Sequence, residues 1–375
     1  MKVLYLTNVP SPYRVDFFNS LGADCDLTVV YERHRASDRD PSWRGPAATT
    51  FTERYLRGLP VRSDAALCPS ILRYVSDRSF DIVVIGGYST PTAMLAIVLL
   101  KLLRRPYVLN ADGGFMREDS WVASRIKRYF IGGARRWLST GATTTRYLTH
   151  YGAREGQVCQ YPFTSLTTSD LLDEPLSPEQ RATVRKSLGI GEGRCVLSVG
   201  RFIPLKGFDL LIRAAKQFEP NIDVYVVGGK PTPEYLGLCS ILSVSNVHFK
   251  DFCSPTKLRQ YYQAADVLVF PTRSDVWGLV VNEAMAQGLP VITTDKCVAG
   301  IEMIKPGVNG YLIAADDSDG IAEATSRVLD LSDERAQQMR VEALQTASRF
   351  TIETMASAHI KCFEEMIEHS VSGAE

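Results

Sequence analysis

The sequence lacks several features that would assign it to a broad class of proteins. Basic and acidic side chains number 42 each, so no net charge points to nucleic acid. None of the eight cysteines forms a CxxC pair, which argues against a zinc site or disulfide framework and favours a reducing cytoplasm. The longest apolar run, residues 93–103, contains Lys101 and is shorter than the roughly 20 residues of a membrane span. We therefore expect a globular cytoplasmic protein that does not cross a membrane.

Metal-binding patterns are also scarce. The five histidines share no metal-ligand spacing. Two Asp-x-Asp motifs, at 24–26 and 38–40, have the form found in some metal-dependent transferases, but neither follows a buried strand in a nucleotide-binding context. We expect no metal site and no prosthetic group.

Charge is unevenly distributed along the chain. Residues 1–165 contain 22 basic and 14 acidic side chains, whereas the remaining residues contain 20 and 28. The basic excess is concentrated in residues 101–136, with nine basic and three acidic side chains. This asymmetry, together with a length of 375 residues, indicates at least two domains, one of which could face an anionic partner.

Short apolar runs alternate with helical patterns in both halves of the chain. This alternation predicts an α/β fold of two Rossmann-like, doubly wound domains, with a ligand in the cleft between them at the carboxyl ends of the strands. The predicted strands cover residues 3–7, 27–31, 81–85, 107–110, 195–199, 223–227, 267–270 and 291–294. The predicted helices include residues 13–21, 70–77, 92–103, 208–218 and 279–286.

A polar, proline-containing segment, residues 166–190, is the expected boundary between the domains. Within it Ser177, Pro178 and Gln180 form the capping pattern that begins a helix. We therefore predict a first domain over residues 1–170 and a second over residues 185–350.

The loop after the first predicted strand, residues 8–14, has two prolines and no glycine. A dinucleotide-binding loop needs glycines there so that its backbone can approach the pyrophosphate. The loop is therefore more suited to shaping an acceptor pocket with Pro12, Tyr13 and Arg14. A rigid connection without a ligand remains the alternative.

Two loops of the second domain carry a pattern suited to a diphosphate. Gly200 and Arg201 follow a predicted buried strand, and Lys206 lies five residues after Arg201. Two cations at the end of such a strand can neutralise a phosphate leaving group. The second loop, with Trp277, Gly278 and Leu279, precedes a helix whose first backbone N–H groups could bind an anion, and Glu283 lies about one turn further on, where a ribose diol would be placed.

Taken together, these motifs resemble the retaining glycosyltransferases of family 4, which have the GT-B fold and use nucleotide-activated sugars. The resemblance rests on Gly200-Arg201-x4-Lys206-Gly207, an acidic residue eight positions before Glu283, and Glu-Ala-Met-Ala-x-Gly-Leu-Pro-Val from that glutamate onward. It is strong over residues 195–315, which include Gly-Val-Asn-Gly at 307–310, and looser over residues 1–170.

The resemblance implies roles for individual residues. Arg201 and Lys206 would hold the donor diphosphate, Glu283 would bind the ribose, and Asp275 would contact the transferred sugar. Glu is usual in place of Asp275, so the shorter side chain leaves the sugar contact in doubt. Phe252 and Cys253 would lie near the base. Because Asp251 stands where the family commonly has Gly, the identity of the base is not carried over from the resemblance, although a UDP-sugar is expected over a GDP-sugar.

In the first domain, Asp112 stands where the family often has histidine. It could accept a hydrogen bond from a sugar hydroxyl or stabilise oxocarbenium character, with Gly113 and Gly114 permitting close approach. A simple Asp-Gly-Gly turn is the alternative. The Gly87-Tyr88 pair, after another strand, should line the same cleft. In this fold the last helix, here residues 351–375, often packs back on the first domain.

The expected activity is thus metal-independent transfer of a sugar from a nucleoside diphosphate to a glycan or lipid-linked glycan, in capsule, exopolysaccharide or O-antigen synthesis of a bacterium. Rival functions are a catalytically silent nucleotide-sugar-binding subunit, consistent with the two unusual aspartates, and a sugar-nucleotide epimerase or phosphorylase. An NAD-dependent oxidoreductase is disfavoured by the glycine-free first loop.

Basic and aromatic residues of the first domain suggest binding to an anionic membrane on its cytoplasmic face. A solvated helix surface is the alternative, and nucleic acid is disfavoured because no base-stacking module accompanies the charges. The residues concerned are Lys101, Arg104, Arg105, Arg117, Arg125, Lys127, Arg128, Arg135 and Arg136, with Trp121, Tyr129, Phe130 and Trp137.

Overall fold

A computed structural model describes residues 1–35, 46–116 and 118–371, with side chains as far as residue 368. The chain forms two compact units, of which the first comprises Met1–Ser165 and Phe350–Glu375 and the second Leu166–Arg349. The change of unit thus falls at residue 165, and the whole polar segment 166–190 lies within the second unit.

The first unit contains a parallel seven-stranded sheet and an antiparallel hairpin. Its elements are β1 (Lys2–Thr7), α1 (Pro12–Leu21), β2 (Asp26–Tyr31), β3 (Thr52–Tyr55), β4 (Leu59–Arg62), β5 (Ala65–Leu67), α2 (Ile71–Ser76), β6 (Ile82–Gly86), α3 (Pro91–Leu102), β7 (Val108–Ala111), α4 (Trp121–Ile131), β8 (Arg136–Ser139), α5 (Ala142–His150) and β9 (Val158–Gln160). The sheet order is β3-β2-β1-β6-β7-β8-β9, and β4 pairs with β5.

The second unit contains a parallel six-stranded sheet in the order β12-β11-β10-β13-β14-β15. Its elements are α6 (Pro178–Leu188), β10 (Arg194–Val199), α7 (Phe208–Ala215), β11 (Ile222–Val227), α8 (Pro233–Leu242), β12 (Val247–Lys250), α9 (Pro255–Ala264), β13 (Val267–Phe270), α10 (Leu279–Met285), β14 (Val291–Thr294), α11 (Val298–Met303), β15 (Gly310–Ile313), α12 (Ser318–Leu329) and α13 (Asp333–Ala347).

The prediction of two α/β units with parallel sheets is confirmed. Apolar runs such as those of β6 and β13 are buried on both sheet faces, as crossover helices require. The capping pattern at Ser177 is also confirmed, because its hydroxyl accepts from the Gln180 N–H and the Gln180 side chain accepts from the Ser177 N–H. The helix predicted over 208–218 was too long, since α7 ends at Ala215.

The last helix, α14 (Ile352–Val371), belongs to the first unit and packs on α1. His359 of this helix is fully buried, with its ring 4.7 Å from that of Phe17 and 4.5 Å from that of Tyr161. Burial lowers the pKa of His359 to about 4, so its ring is neutral at neutral pH. The last helix is thus joined to the core of the first unit.

Each parallel sheet has one point where the strand order reverses. In the first unit this point lies between β1 and β6, and in the second between β10 and β13. The loops at the carboxyl ends of these strands diverge there, which leaves a crevice that serves for ligand binding in open α/β sheets. Most of the predicted site residues follow these strands, whereas residues 112–114 follow β7 and residues 252–253 follow β12.

Candidate functional site

In the second unit, the loops after β10 and β13 bring Lys206 and Asp275 together. The Nζ atom of Lys206 lies 2.6 Å from Oδ2 of Asp275, and both side chains are about four-fifths buried. The same ammonium lies 4.8 Å from the centre of the Phe270 ring. The pair therefore presents a fixed cation and a fixed carboxylate at the reversal point of the sheet.

The backbone on either side of Asp275 is held by its neighbours. The Asp275 N–H donates to the Lys296 carbonyl at 2.8 Å, and the Val298 N–H donates to the Asp275 carbonyl at 3.3 Å. Gly278 has a φ of 101°, and a Cβ there would lie 2.5 Å from Sγ of Cys297. Glycine is therefore required at this position by conformation and by space.

Trp277 and Gly278 precede α10 as predicted. The backbone N–H of Trp277 already has an acceptor. It donates to Oδ1 of Asp275 at 3.4 Å, while the indole Nε1 donates to Asn282 at 2.7 Å in a buried position. Anion binding by the Trp277 N–H stays a prediction. The N–H of Leu279, the first residue of α10, stays a predicted contact.

Arg201 and Gly200 lie at the carboxyl end of β10, where the Arg201 side chain is exposed. The strand ends are close-packed, since a Cβ on Gly228 would lie 1.9 Å from the Gly200 carbonyl oxygen. Arg201 and Lys206 are thus on one loop, although only Lys206 is held against the acid.

Arg273 organises this region and was not assigned a role from the sequence. Its guanidinium donates to Asp209 at 2.8 and 2.7 Å, to Asp316 at 2.6 Å and to the Pro204 carbonyl at 2.7 Å. These contacts join the loop carrying Lys206 to the loop carrying Asp275. Arg273 lies next to the motif that contains Asp275, which was a signal that it belongs to the site. Its partners are remote in sequence, so these contacts could not be predicted.

Glu283 lies on α10 and accepts a hydrogen bond of 2.7 Å from the Tyr262 hydroxyl of α9. Burial raises the pKa of Glu283, while the hydrogen bond from Tyr262 partly offsets this shift. Tyr262, which sequence reasoning missed, is itself 2% exposed. The pair forms a partly buried acceptor suited to hydroxyl groups.

Phe252 and Cys253 follow β12, at the same edge of the sheet as the residues above. Phe252 is 69% exposed, and Cys253 is partly buried. Their contact with a base stays a prediction.

In the first unit, the loops after β1, β6 and β7 enclose a cavity of about 490 Å³. Four regions line it, including the β4–β5 hairpin, which had not been predicted. Of the residues proposed for the acceptor, those lining the cavity are Tyr13, Arg14, Gly87, Tyr88, Asp112 and Gly113, whereas Pro12 and Gly114 are not in its wall.

Arg14 and Asp112 form an ion pair beside this cavity. Arg14 is 4% exposed, and its partner Asp112 is 36% exposed at the side chain. The other carboxylate oxygen of Asp112 accepts from Asn110 at 2.9 Å and from the Tyr161 hydroxyl at 3.1 Å. Asp112 is thus fixed in place by three side chains rather than standing in a simple turn.

The glycines around the cavity have different reasons for being glycine. Gly87 has a φ of 112° and open space where a Cβ would be. Gly114 instead packs on an aromatic ring, since a Cβ there would lie 2.9 Å from Tyr147. Packing against Tyr147 thus accounts for this glycine, and contact of Gly114 with an acceptor stays a prediction.

Polar residues from the hairpin complete the wall of this cavity. Asn8 donates to Asp64 at 2.9 Å, and Arg62 donates to the Ser89 carbonyl at 2.9 Å. Next to it lies Glu32, which is 3% exposed and accepts from the Thr90 hydroxyl at 2.5 Å and the Ala66 N–H at 3.1 Å. Burial, outweighing these hydrogen bonds, raises the pKa of Glu32 to about 7.

The basic and aromatic residues predicted to face a membrane do not act as one surface. Arg105 donates to buried carbonyls, Lys127 pairs with Asp119 at 2.7 Å, and Arg136 pairs with Glu365 at 3.0 Å. The indole of Trp137 is fully buried, and Phe130 is partly buried against the core. Structural roles therefore account for five residues of the set, Arg105, Lys127, Phe130, Arg136 and Trp137. Arg117 lies outside the described residues.

Of this set, one face of α4 is exposed, as is Arg104 after α3. Trp121, Val122, Ile126 and Tyr129 are 71%, 58%, 48% and 49% exposed. The Arg125 guanidinium lies over the Trp121 ring at 4.9 Å from its centre. Over the residues that the structure describes, no helix is both long and apolar enough to span a bilayer.

Groups of His, Cys, Asp and Glu that could hold a metal ion are not found among residues 1–35, 46–116 and 118–371. The motif at 24–26 runs into β2, whose first residue is Asp26. The motif at 38–40 lies outside the described residues.

Comparison with solved structures identifies the fold. HepE of Anabaena, solved in complex with UDP, has a TM-score of 0.77 and 18% identity, covering 97% of this chain and all of that one. The same protein has also been solved with UDP-glucose. Two Rossmann-like units with these parallel sheets are the GT-B fold, which is the fold of this chain.

Sequence comparison identifies the second unit. Residues 180–345 match the family "Glycosyl transferases group 1", so the chain carries a glycosyltransferase domain of that family. A D-inositol 3-phosphate glycosyltransferase of Streptomyces griseus is 33% identical over 206 residues, 51% of this chain and 43% of that protein. An uncharacterised glycosyltransferase of Methanocaldococcus jannaschii is 36% identical over 163 residues, 42% of this chain and 41% of that protein. The matches thus span about two fifths of these relatives.

Proposed function

We propose that this protein transfers a sugar from a nucleoside diphosphate sugar, with UDP preferred over GDP, to a glycan or lipid-linked glycan. The observation that carries the proposal is the contact between Lys206 and Asp275, 2.6 Å apart at the reversal point of the second sheet. The group 1 domain and the UDP complexes of HepE support a nucleotide-sugar donor.

In the proposed donor complex, Lys206 and Arg201 contact the diphosphate and Glu283 accepts from the ribose hydroxyls. Asp275, released from Lys206 by the incoming phosphate, accepts a hydrogen bond from the sugar. Cations fixed beside the leaving group stabilise its developing charge without reorganisation at the moment of reaction. The buried carboxylate of Glu283 gives the site a means of preferring a ribonucleotide.

Transfer is proposed to retain the anomeric configuration. The bond from the sugar C1 to the diphosphate oxygen breaks, and the acceptor oxygen forms its bond to C1 on the same face. The acceptor proton passes to the leaving phosphate, so the step balances without a protein base. We assign the acceptor to the cavity of the first unit, where Asp112 and Asp64 offer carboxylate oxygens for its hydroxyl groups.

A screen for donor and product tests this function. Thermal unfolding with UDP, GDP and several of their sugars should show stabilisation by a UDP ligand, near 2.7 kcal/mol at about 100 times its Kd. Anomeric coupling constants of the product, measured by NMR, should match those of the donor. Stabilisation by GDP ligands alone would overturn the base preference, and an inverted anomer would overturn the retaining mechanism.

Binding without transfer is a second candidate, favoured by one observation. Both aspartates at unusual positions, Asp112 and Asp275, are already engaged by cations, Arg14 and Lys206. Tight UDP-sugar binding with neither transfer nor hydrolysis, across a panel of glycan and lipid-linked acceptors, would favour this candidate over the enzyme.

The exposed face of α4 is proposed to contact an anionic membrane on its cytoplasmic side, where a lipid-linked acceptor in surface-polysaccharide synthesis would be met. Aromatic side chains favour the bilayer interface, and Arg125 and Arg128 add attraction of about 1 kcal/mol each near anionic lipid. Sedimentation with anionic vesicles should fall for Trp121→Ala and Ile126→Ala, but not for Ile241→Ala, which is 82% exposed in the second unit. Equal sedimentation of all three variants would contradict this contact.

A further inference from the structure

The second unit also has a cavity, which lies at the amino ends of its strands. Its volume is about 440 Å³, and its wall is formed by α6, α12, α13 and the segments that precede β10, β13 and β14. Since the strands are parallel, this cavity is at the sheet edge opposite to Lys206 and Asp275. It is therefore separate from the proposed donor site.

Three arginines of this cavity converge on one carboxylate. Arg181 forms an ion pair with Asp266, and Nη2 of Arg185 lies 2.7 Å from Oδ2 of the same residue. Nη2 of Arg340 lies 3.6 Å from Oδ1. Three positive charges against one negative charge leave a local excess of two.

The centre of this cluster lies away from water, while Arg181 and Arg185 are partly exposed. Arg340 is 5% exposed and Asp266 is 9% exposed. Burial and then the neighbouring Arg181 lower the pKa of Arg340 to about 9, even though Asp266 acts in the opposite direction. Buried charge without a counter-charge is costly, so an anion bound here would be stabilised.

Backbone groups satisfy many of the N–H donors but supply no full negative charge. Arg185 donates to the Ala264 carbonyl at 2.8 Å and the Gly193 carbonyl at 3.0 Å, and Arg340 donates to the Ala265 carbonyl at 3.0 Å. The Nε atom of Arg181 is buried and has no hydrogen-bond partner in the described part of the chain. Arg181 thus has a buried donor without a partner at the wall of this cavity.

The remaining wall is partly apolar, with Pro290, Val328, Leu329 and Met339 among its residues. Arg194, Glu192 and Asp333 are exposed and also line it. We propose that this cavity binds a small organic phosphate, with the phosphate group against Arg181 and the organic part against the apolar wall. Four arginines against three carboxylates leave the cavity wall positive, and guanidinium groups suit the geometry of a phosphate.

Calorimetric titration tests this proposal in the Lys206→Ala chain, in which phosphate binding at the donor site is weakened. The probes are inorganic phosphate, glycerol 3-phosphate and neutral glycerol, all at one ionic strength. We expect both phosphates to bind, glycerol 3-phosphate more tightly, and glycerol not to bind. Inorganic phosphate binding as tightly as the organic probe would overturn the role of the apolar wall.

Two variants locate the binding. Arg181→Gln should weaken it at least about tenfold, equivalent to 1.4 kcal/mol, by removing charge and the Nε donor. Ala336→Glu, on the α13 wall, should weaken it similarly while leaving every contact of Asp266 intact, and so decides the question if Arg181→Gln does not fold. Arg335→Gln, an exposed neighbour, is the control. Failure of both phosphates to bind, or equal affinities in Ala336→Glu and the control, would overturn the proposal.

Discussion

Asp275 and Lys206 are 69 residues apart in sequence, yet their side chains meet because β10 and β13 are adjacent parallel strands. Each is the other's counter-charge within the site that we propose for the donor diphosphate. In that proposal, a phosphate that binds to Lys206 competes with Asp275, and the aspartate is set free when the donor arrives.

This competition predicts opposite effects on binding and turnover. Lys206→Ala should weaken UDP affinity and reduce kcat/KM more than tenfold, which corresponds to at least about 1.4 kcal/mol. Asp275→Asn should leave UDP affinity unchanged or increase it, because the competing charge is gone, while kcat falls more than tenfold. Calorimetry and a UDP-release assay measure both quantities, with exposed Lys216→Ala as control. Weaker UDP binding in Asp275→Asn would refute the competition.

The Glu283 carboxylate predicts a preference for ribose. Glu283→Gln should reduce UDP affinity several-fold but leave the affinity for a dideoxyribose analogue of UDP nearly unchanged, because only hydroxyl contacts are lost. The measured quantity is the ratio of the affinity for UDP to the affinity for the analogue. Protonation of the phosphates affects both affinities alike and therefore does not change this ratio. An equal loss for both nucleotides would place Glu283 elsewhere than at the ribose.

Tyr262→Phe provides a pH test of the same site. The Tyr262 hydroxyl lowers the pKa of Glu283 against the effect of burial, so its removal should raise that pKa further. Only the ionised carboxylate accepts from the ribose hydroxyls. As the pH is lowered, the ratio of UDP affinity to analogue affinity should therefore begin to fall at a higher pH in Tyr262→Phe than in the unchanged chain. Identical pH profiles for the two proteins would contradict this account.

The ion pair of Arg14 with Asp112 predicts a stability effect. Asp112→Asn leaves a buried guanidinium without a counter-charge, which costs 3–5 kcal/mol in a fully buried pair. Because Asp112 is 36% exposed, we expect about 1–3 kcal/mol from urea unfolding. Asp24→Asn, at an exposed site, is the control. A double-mutant cycle with Arg14→Gln should show coupling, and additive losses would mean that the pair is not a unit.

Glu32 predicts a stability that falls with rising pH. Its pKa is about 7 in the folded chain against 4.5 ordinarily, so the folded state binds more protons between these values. Stability therefore decreases from pH 4.5 to 7, on the order of 3 kcal/mol from this group. In Glu32→Gln the amide oxygen can accept from the Ala66 N–H and the amide NH2 can donate to the Thr90 hydroxyl, so this variant should gain stability above pH 7 relative to the unchanged chain. If the difference in unfolding free energy between Glu32→Gln and the unchanged chain were the same at pH 5 and pH 8, the raised pKa of Glu32 would be contradicted.

The sequence predicted those features that depend on local patterns. Strands such as β13 and β14 had the predicted bounds because continuous apolar runs reflect burial on both faces. Lys206, Asp275 and Glu283 were chosen from motifs and from the family resemblance; the structure brings the first two into contact, and their roles stay predictions. The edge strand β3 and the β4–β5 hairpin were missed, because their residues are mostly exposed and their pattern is weak.

Contacts between remote residues could not be predicted in the same way. Tyr262 meets Glu283 and Arg273 meets Asp209 only because tertiary packing brings separate loops together. The basic residues of 101–136 show the reverse problem, since charge counting cannot tell Arg125, exposed on α4, from Arg105, whose donors are used on buried carbonyls. Side-chain burial decides between a surface and a structural role.

The return of α14 to the first unit constrains the order in which the chain can fold during translation. Residues 166–349, a complete unit with its own sheet, are synthesised before the helix that covers α1. Until Met355 to Phe363 have left the ribosome, Phe17 lacks its His359 neighbour, and an apolar face of α1 stays open to water. The first unit, whose synthesis starts first, is thus completed last. Until then its exposed helix α1 is a target for chaperones.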